Sequence, residues 1–126
     1  MQEQQQAIIE HYLEAYNRFD VSAMLRDLHS DIVFENHGDG AVNLRLEGID
    51  AFRQQAEVAA TYFRERQQEA IDWKFDGERV LLEIAYDATL AVNLPNGLMP
   101  GDKLSMRGQS EFLFQEGKII RLRDMS

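Results

Sequence analysis

Beyond residue 69 the chain changes period, and that change restricts the possible folds more than any other feature. Ile71, Trp73 and Phe75 alternate with Asp72 and Lys74, the two-residue period of a strand. Asp76-Gly77 is a hairpin signal. Residues 79–93, 103–115 and 118–125 read as three more strands, separated by LPNGLMPGD, which holds both prolines, and by Glu116-Gly117. Consecutive strands joined by turns form an antiparallel sheet, and strands this long twist.

The first half runs at helical spacing instead. Ile8, Ile9, Tyr12, Tyr16 and Phe19 predict an amphipathic helix over 4–19. Asp20 is a suitable N-cap for a short helix over 21–29, with Met24, Leu25 and Leu28 inward. Residues 32–36 predict a strand, HGDGAVN a loop, and 43–47 a second strand. Gly48 opens a third helix over 49–67, whose apolar stripe is Phe52, Ala56, Ala59, Ala60 and Phe63. The expected architecture is one α+β domain over 1–126. Three helices from the N-terminal half cover a cone-shaped, curved, mostly antiparallel sheet and leave a hollow beneath them.

Hydrophobic residues make up 44% of the 126, which suits a globular core. The net charge is −9 and no basic block interrupts it, so nucleic acid is not an expected partner. No apolar run approaches the roughly 20 residues that span a bilayer, and the start MQEQQQAIIEHY lacks a secretory pattern. A cytoplasmic location, without membrane attachment, is expected. There is no cysteine, and His11, His29 and His37 form no metal motif. No nucleotide or phosphate loop is present; neither a metal nor a cofactor is expected.

The chemical clue lies at two strand ends. Phe34-Glu35-Asn36 closes an early strand, and Asp124 lies near the end of the last one. Ile120, Leu122 and Asp124 share a face by parity, which turns Asp124 toward the apolar side; the other reading is a frayed, solvated acid at the strand end. A carboxylate among apolar groups has a raised pKa and can exchange protons near neutral pH. Asn36 offers both a donor and an acceptor for a water or a carbonyl, or serves the local turn. On 103–115, Met106, Gly108, Ser110, Phe112 and Phe114 share one face, and Gly108 either leaves room for a ligand there or marks a bulge. Tyr12, Tyr16, Phe34, Trp73 and Leu122 are expected to add an aromatic and aliphatic wall, although core packing alone also accounts for Tyr12, Tyr16 and Trp73.

EHYLEAYNRFDVSAMLRDLHSDIVFENHG, the helix start LEGIDAFR and the C-terminal GQSEFLFQEGKIIRLRDMS resemble the nuclear-transport-factor-two-like, or SnoaL-like, superfamily. That superfamily includes ketosteroid isomerase, limonene epoxide hydrolase and the SnoaL polyketide cyclases. The resemblance spans nearly the whole chain and implies a cystatin-like α+β roll. It matches Tyr12 to the oxyanion-hole tyrosine of ketosteroid isomerase, but puts Asn36 where that enzyme has its base and Ser110 where it has its second acid. Phe34-Glu35-Asn36 and Arg123-Asp124 are similar to the limonene epoxide hydrolase pattern, with Phe34 replacing its tyrosine. Asp124 resembles the acid–base aspartate of the cyclases.

One strand can be read two ways. Parity buries Val80, Leu82, Ile84, Tyr86, Ala88, Leu90 and Val92. The resemblance instead turns Glu83 and Asp87 into the hollow and leaves the apolar face for a homodimer interface. The second register is adopted here, which makes Asp87 a second acid beside Asp124 and Asn36. The expected ligand is a small apolar molecule with a carbonyl or hydroxyl, transformed by cofactor-independent acid–base chemistry; the alternative is a non-catalytic ligand carrier or a dimerising interaction domain of the same fold.

Overall fold

The computed structural model describes residues Met1–Ser126. Its elements are α1 (Gln2–Asn17), α2 (Val21–Leu25), β1 (Leu28–Gly38), β2 (Ala41–Glu47), α3 (Ile49–Ala60), β3 (Phe63–Asp76), β4 (Arg79–Leu90), β5 (Lys103–Gln115) and β6 (Lys118–Met125). Helical spacing puts Ile9, Tyr12 and Leu13 of α1 on one buried stripe. The Gln5 amide fastens the start of α1 to the carbonyl of Gly77, at the β3–β4 turn, at 2.8 Å. Asp20 caps α2 by accepting from the Ala23 amide at 3.1 Å. Gly48 enters α3 at φ 90°, a left-handed conformation that suits glycine.

The six strands form one sheet in the order β2-β1-β6-β5-β4-β3. Only the β1–β6 pairing is parallel, joining the first strand to the last; the other four are antiparallel. Bulges interrupt β1–β2, β1–β6, β3–β4 and β5–β6. Each adds local twist and bend, so the sheet curves around the helices. Phe34, Leu122, Phe112 and Val80 are partners in one row across β1, β6, β5 and β4. With Ile9, Leu82 and Ile119 they build the core. Phe112 is 1% exposed, and truncating it to alanine would cost about 3–5 kcal/mol in lost burial and cavity.

Four expectations need correction. The third helix stops at Ala60, and β3 begins at Phe63 rather than near residue 69. Residues 64–70 are strong helix formers, but they pair with β4 from Phe63↔Leu90 to Asp76↔Arg79, and that pairing overrides propensity. The second helix stops at Leu25, so Leu28 opens β1. HGDG is a tight hairpin, with Gly38 paired to Ala41 and Asp39 and Gly40 at φ 53° and 77°. A bulge between Ala70 and Asp72 turns Ile71 outward, 44% exposed, while Ala70 packs on the core.

The register of β4 follows parity. Val80, Leu82, Ile84, Ala88 and Leu90 are buried, whereas Asp87 is exposed on the opposite face. Burying Glu83 and Asp87 instead would have left two carboxylates without partners in the core. The outer face is therefore not apolar. It carries a ladder of alternating charge, Arg45–Glu35–Arg123–Glu111–Arg79, running over β2, β1, β6, β5 and β4. Arg123 lies 3.2 Å from Glu35 and 3.6 Å from Glu111. His37, whose ring nitrogen is 2.9 Å from Glu35, is the main influence holding that carboxyl below its usual range, with Arg45 and Arg123 assisting.

Candidate active site

The parallel β1–β6 pairing makes Asn36 and Asp124 direct partners, and β5 adds Ser110 opposite Asp124. The row continues to Leu44 on one side and to Leu82 and Trp73 on the other. It lies two residues along each strand from the apolar row of Phe34, Leu122 and Phe112, and so faces the same side. A polar step of Asn, Asp and Ser is thereby set on the floor of an apolar cone.

Helices supply the roof. Tyr12 and Tyr16 descend from α1, and Phe52, Ala56 and Ala59 from α3. The small alanines of α3 leave a pocket of about 190 Å³ against the sheet, lined also by Phe34, Asn36, Leu44, Leu46, Arg66 and Asp124. A second hollow of about 400 Å³ adjoins it and shares Tyr16, Asn36 and Asp124; Tyr86, Met106, Gly108 and Ser110 add to its wall. The largest hollow, about 540 Å³, lies elsewhere, among Arg64, Glu65, Asp87, Lys103 and other mostly polar side chains. It lacks the apolar wall that desolvates a small ligand, and only Arg66 joins it to the Asp124 pocket.

Asp124 keeps some accessible surface through these hollows, yet its carboxyl is enclosed by protein. Burial raises its pKa from 3.8 to about 6, against the opposing pull of a 2.7 Å hydrogen bond donated by Ser110 Oγ. That value is poised for both giving and taking a proton. Burial pushes the Tyr12 hydroxyl well above its usual value, and the nearby Asp124 charge adds to the rise. Burial likewise raises Tyr16 and Tyr86, whose hydroxyls share a 3.0 Å hydrogen bond. These phenols stay neutral, as hydrogen-bond donors. The Asn36 amide donates to Asn43 Oδ1 at 3.0 Å, which leaves one N–H and its own carbonyl for a ligand or water.

Among the residues expected from the sequence, the structure brings Asp124, Asn36, Tyr12, Tyr16 and Phe34 to one pocket, and Met106 and Ser110 to the adjoining hollow. Phe112 and Leu122 lie sealed beneath, each 1% exposed, and serve the core rather than a ligand. Trp73 stands three strands from Asp124, roughly 14 Å by strand spacing, stacked on Phe75 at 5.8 Å. Asp87 faces away, outside both hollows. The histidines sit apart: His11 at the Ala23 carbonyl, His29 near Glu116 and His37 at Glu35.

Arg66 was not anticipated. A helix over 49–67 gives Arg66 no particular reason to face inward. The available signal was the length of β4: a hairpin closed at Asp76-Gly77 needs a partner strand of matching length, which reaches back past residue 66.

A family model described as a SnoaL-like domain matches residues 9–122. A comparison with curated proteins returned no match. Among solved structures, a proposed polyketide cyclase from Xanthomonas campestris pv. campestris is similar at TM-score 0.82 and 24% identity, over 98% of this chain and 90% of that one. AclR, a proposed hydroxylase from Streptomyces galilaeus, is similar at TM-score 0.76 and 24% identity, over 98% and 88%. An uncharacterised cystatin-fold protein from Novosphingobium aromaticivorans is similar at TM-score 0.74 and 18% identity, over 95% and 96%. At these identities the likeness establishes the fold.

Proposed function

Because the chain belongs to the SnoaL-like domain family, and because its polar row opens on an apolar pocket, we propose that it binds a small apolar carbonyl or hydroxyl compound and moves a proton on it without a cofactor. The observation that carries this reading is the position of Asp124, a carboxyl that lines an apolar pocket of about 190 Å³ beside Tyr12, Tyr16 and Asn36; burial there raises its pKa to about 6. As a carboxylate it takes a proton from a carbon next to a carbonyl, and the carbonyl becomes an enolate. The neutral Tyr12 hydroxyl, which makes no hydrogen bond to protein, donates to that oxygen. Asn36 orients the carbonyl or a water. Returning the proton to a different atom completes an isomerisation, or a ring closure in which the enolate carbon attacks a second carbonyl. The latter fits the cyclase description of the Xanthomonas structure. A homodimer packed through the charged outer face of the sheet belongs to the same reading.

The test requires no knowledge of the natural substrate. In deuterated water, the protein should accelerate hydrogen–deuterium exchange beside the carbonyl of apolar ketones such as 2-tetralone, followed by NMR. Asp124→Asn should lose that acceleration while keeping its fold; general-base contributions are typically about 10²–10⁴-fold. Equal exchange in both proteins would overturn the role. Ketone binding without exchange in either would make the protein a carrier.

A further inference from the structure

Arg66 is a buried cation to which the chain supplies no anion. It is 5% exposed. Its Nε donates to the Tyr16 carbonyl at 2.8 Å, and its guanidinium lies 3.7 Å from the Tyr16 ring centroid and 4.5 Å from that of Phe19. Nη2 has no hydrogen-bond partner. None of the chain's ion pairs includes Arg66, although the sequence holds 22 acidic residues against 13 basic ones. A guanidinium cannot shed its proton to escape this setting. Aromatic faces stabilise its charge, but they leave the Nη2 hydrogens unsatisfied, and buried charges without partners are costly.

Its location suggests the missing partner. Arg66 lines the same pocket as Asp124, with Tyr12 and Tyr16. The pocket therefore presents a proton-carrying acid from β6 and a separate fixed cation from β3, where it meets the mostly polar hollow. We propose that Arg66 is a binding residue for a carboxylate on the ligand, so that the molecule taken up is an apolar carboxylic acid whose reacting part lies at Asp124. This rests on the reading of the Asp124 pocket as a ligand site and narrows it to a substrate class. A planar guanidinium whose buried Nη2 lacks a partner matches a carboxylate in geometry as well as charge.

The probes are three acids, benzoate, phenylacetate and 2-naphthoate, each set against its carboxamide, with binding read near neutral pH by ligand-observed NMR and calorimetry. At least one acid should bind about tenfold or more tighter than its amide. Arg66→Met should erase the preference, and Arg66→Lys should keep part of it. Ala59→Phe, which fills the pocket, should abolish binding of both forms. Acids and amides binding equally well would overturn the carboxylate assignment while leaving the pocket reading intact. No binding by any probe would overturn both. An acid preference that persists in Arg66→Met, or in Ala59→Phe, would place the anion elsewhere, such as the hollow beside Arg64 and Lys103, and would also overturn the assignment. If Arg66→Met does not fold, the wild-type preference and its reduction in Arg66→Lys decide the matter.

Discussion

Ser110 Oγ lies 2.7 Å from Oδ1 of Asp124 and provides the one protein hydrogen bond that this carboxyl receives. The bond favours the charged form and opposes burial. Ser110→Ala should therefore raise the Asp124 pKa above about 6 and cost about 1 kcal/mol of stability. An NMR titration of the variant checks the direction. A fall, or no change, would mean that the hydroxyl serves another partner.

Asp124→Asn should stabilise the fold above neutral pH. Burial raises the folded pKa from 3.8 to about 6, so the folded chain holds this proton more tightly than the unfolded chain does. The stability from protonated Asp124 is complete below about pH 4 and is lost as pH rises through about 6. Asparagine cannot ionise, so it escapes that loss. At about pH 8 the variant should gain up to about 3 kcal/mol over the native chain, and the gain should vanish below about pH 4. Urea unfolding at the two pH values measures it. Equal stability at the higher pH would show a well-solvated carboxylate.

Gly108 is where β5 accommodates the C-terminus. A Cβ added there would lie 2.7 Å from the Met125 carbonyl oxygen, one residue after Asp124. Gly108→Ala should cost about 1–3 kcal/mol, as overpacking does, and should shift the Asp124 resonances. Unchanged stability and resonances would mean that the terminus yields freely.

Asp87→Asn separates the two registers of β4. With Asp87 exposed on the outer face, the variant should stay within about 0.5 kcal/mol of the native chain and exchange ketone hydrogens at the native rate. Loss of exchange would return Asp87 to the site.

Self-association through the outer face would depend on its charge ladder, Arg45–Glu35–Arg123–Glu111–Arg79. Glu35 is buried, but Arg45 and Arg79 at the ends of the ladder are exposed, and contacts through such exposed charges weaken as salt shortens the screening length from about 10 Å at 0.1 M to about 3 Å at 1 M. A dimer seen by sedimentation at low salt should dissociate at high salt. Salt-insensitive association would point to another surface.

Local pattern carried most of the fold. Alternation and turn chemistry marked six strands, and the helical stripes of α1 and α3 marked the side that covers them. Long-range pairing was the part that local pattern could not express. Asn36 and Asp124 were legible as two strand ends, but their adjacency depends on the parallel β1–β6 contact, which no short motif encodes. Arg66 was hidden because 64–70 prefer helix locally and become strand only by pairing with β4. Asp87 follows the parity of β4 and not the family resemblance, because the apolar face of that strand takes the buried side and unpartnered carboxylates are costly there. Trp73 shares a row with Asp124 but not a neighbourhood, because parity selects a face and says nothing about distance across strands.

The proposed function stands or falls with Asp124 as a buried proton carrier at the floor of a ligand pocket. A carbon-detected NMR titration of its side-chain carboxyl tests this most directly. The predicted midpoint is about 6; a midpoint near the ordinary aspartate value of about 3.9 would show a solvated carboxylate and contradict the account.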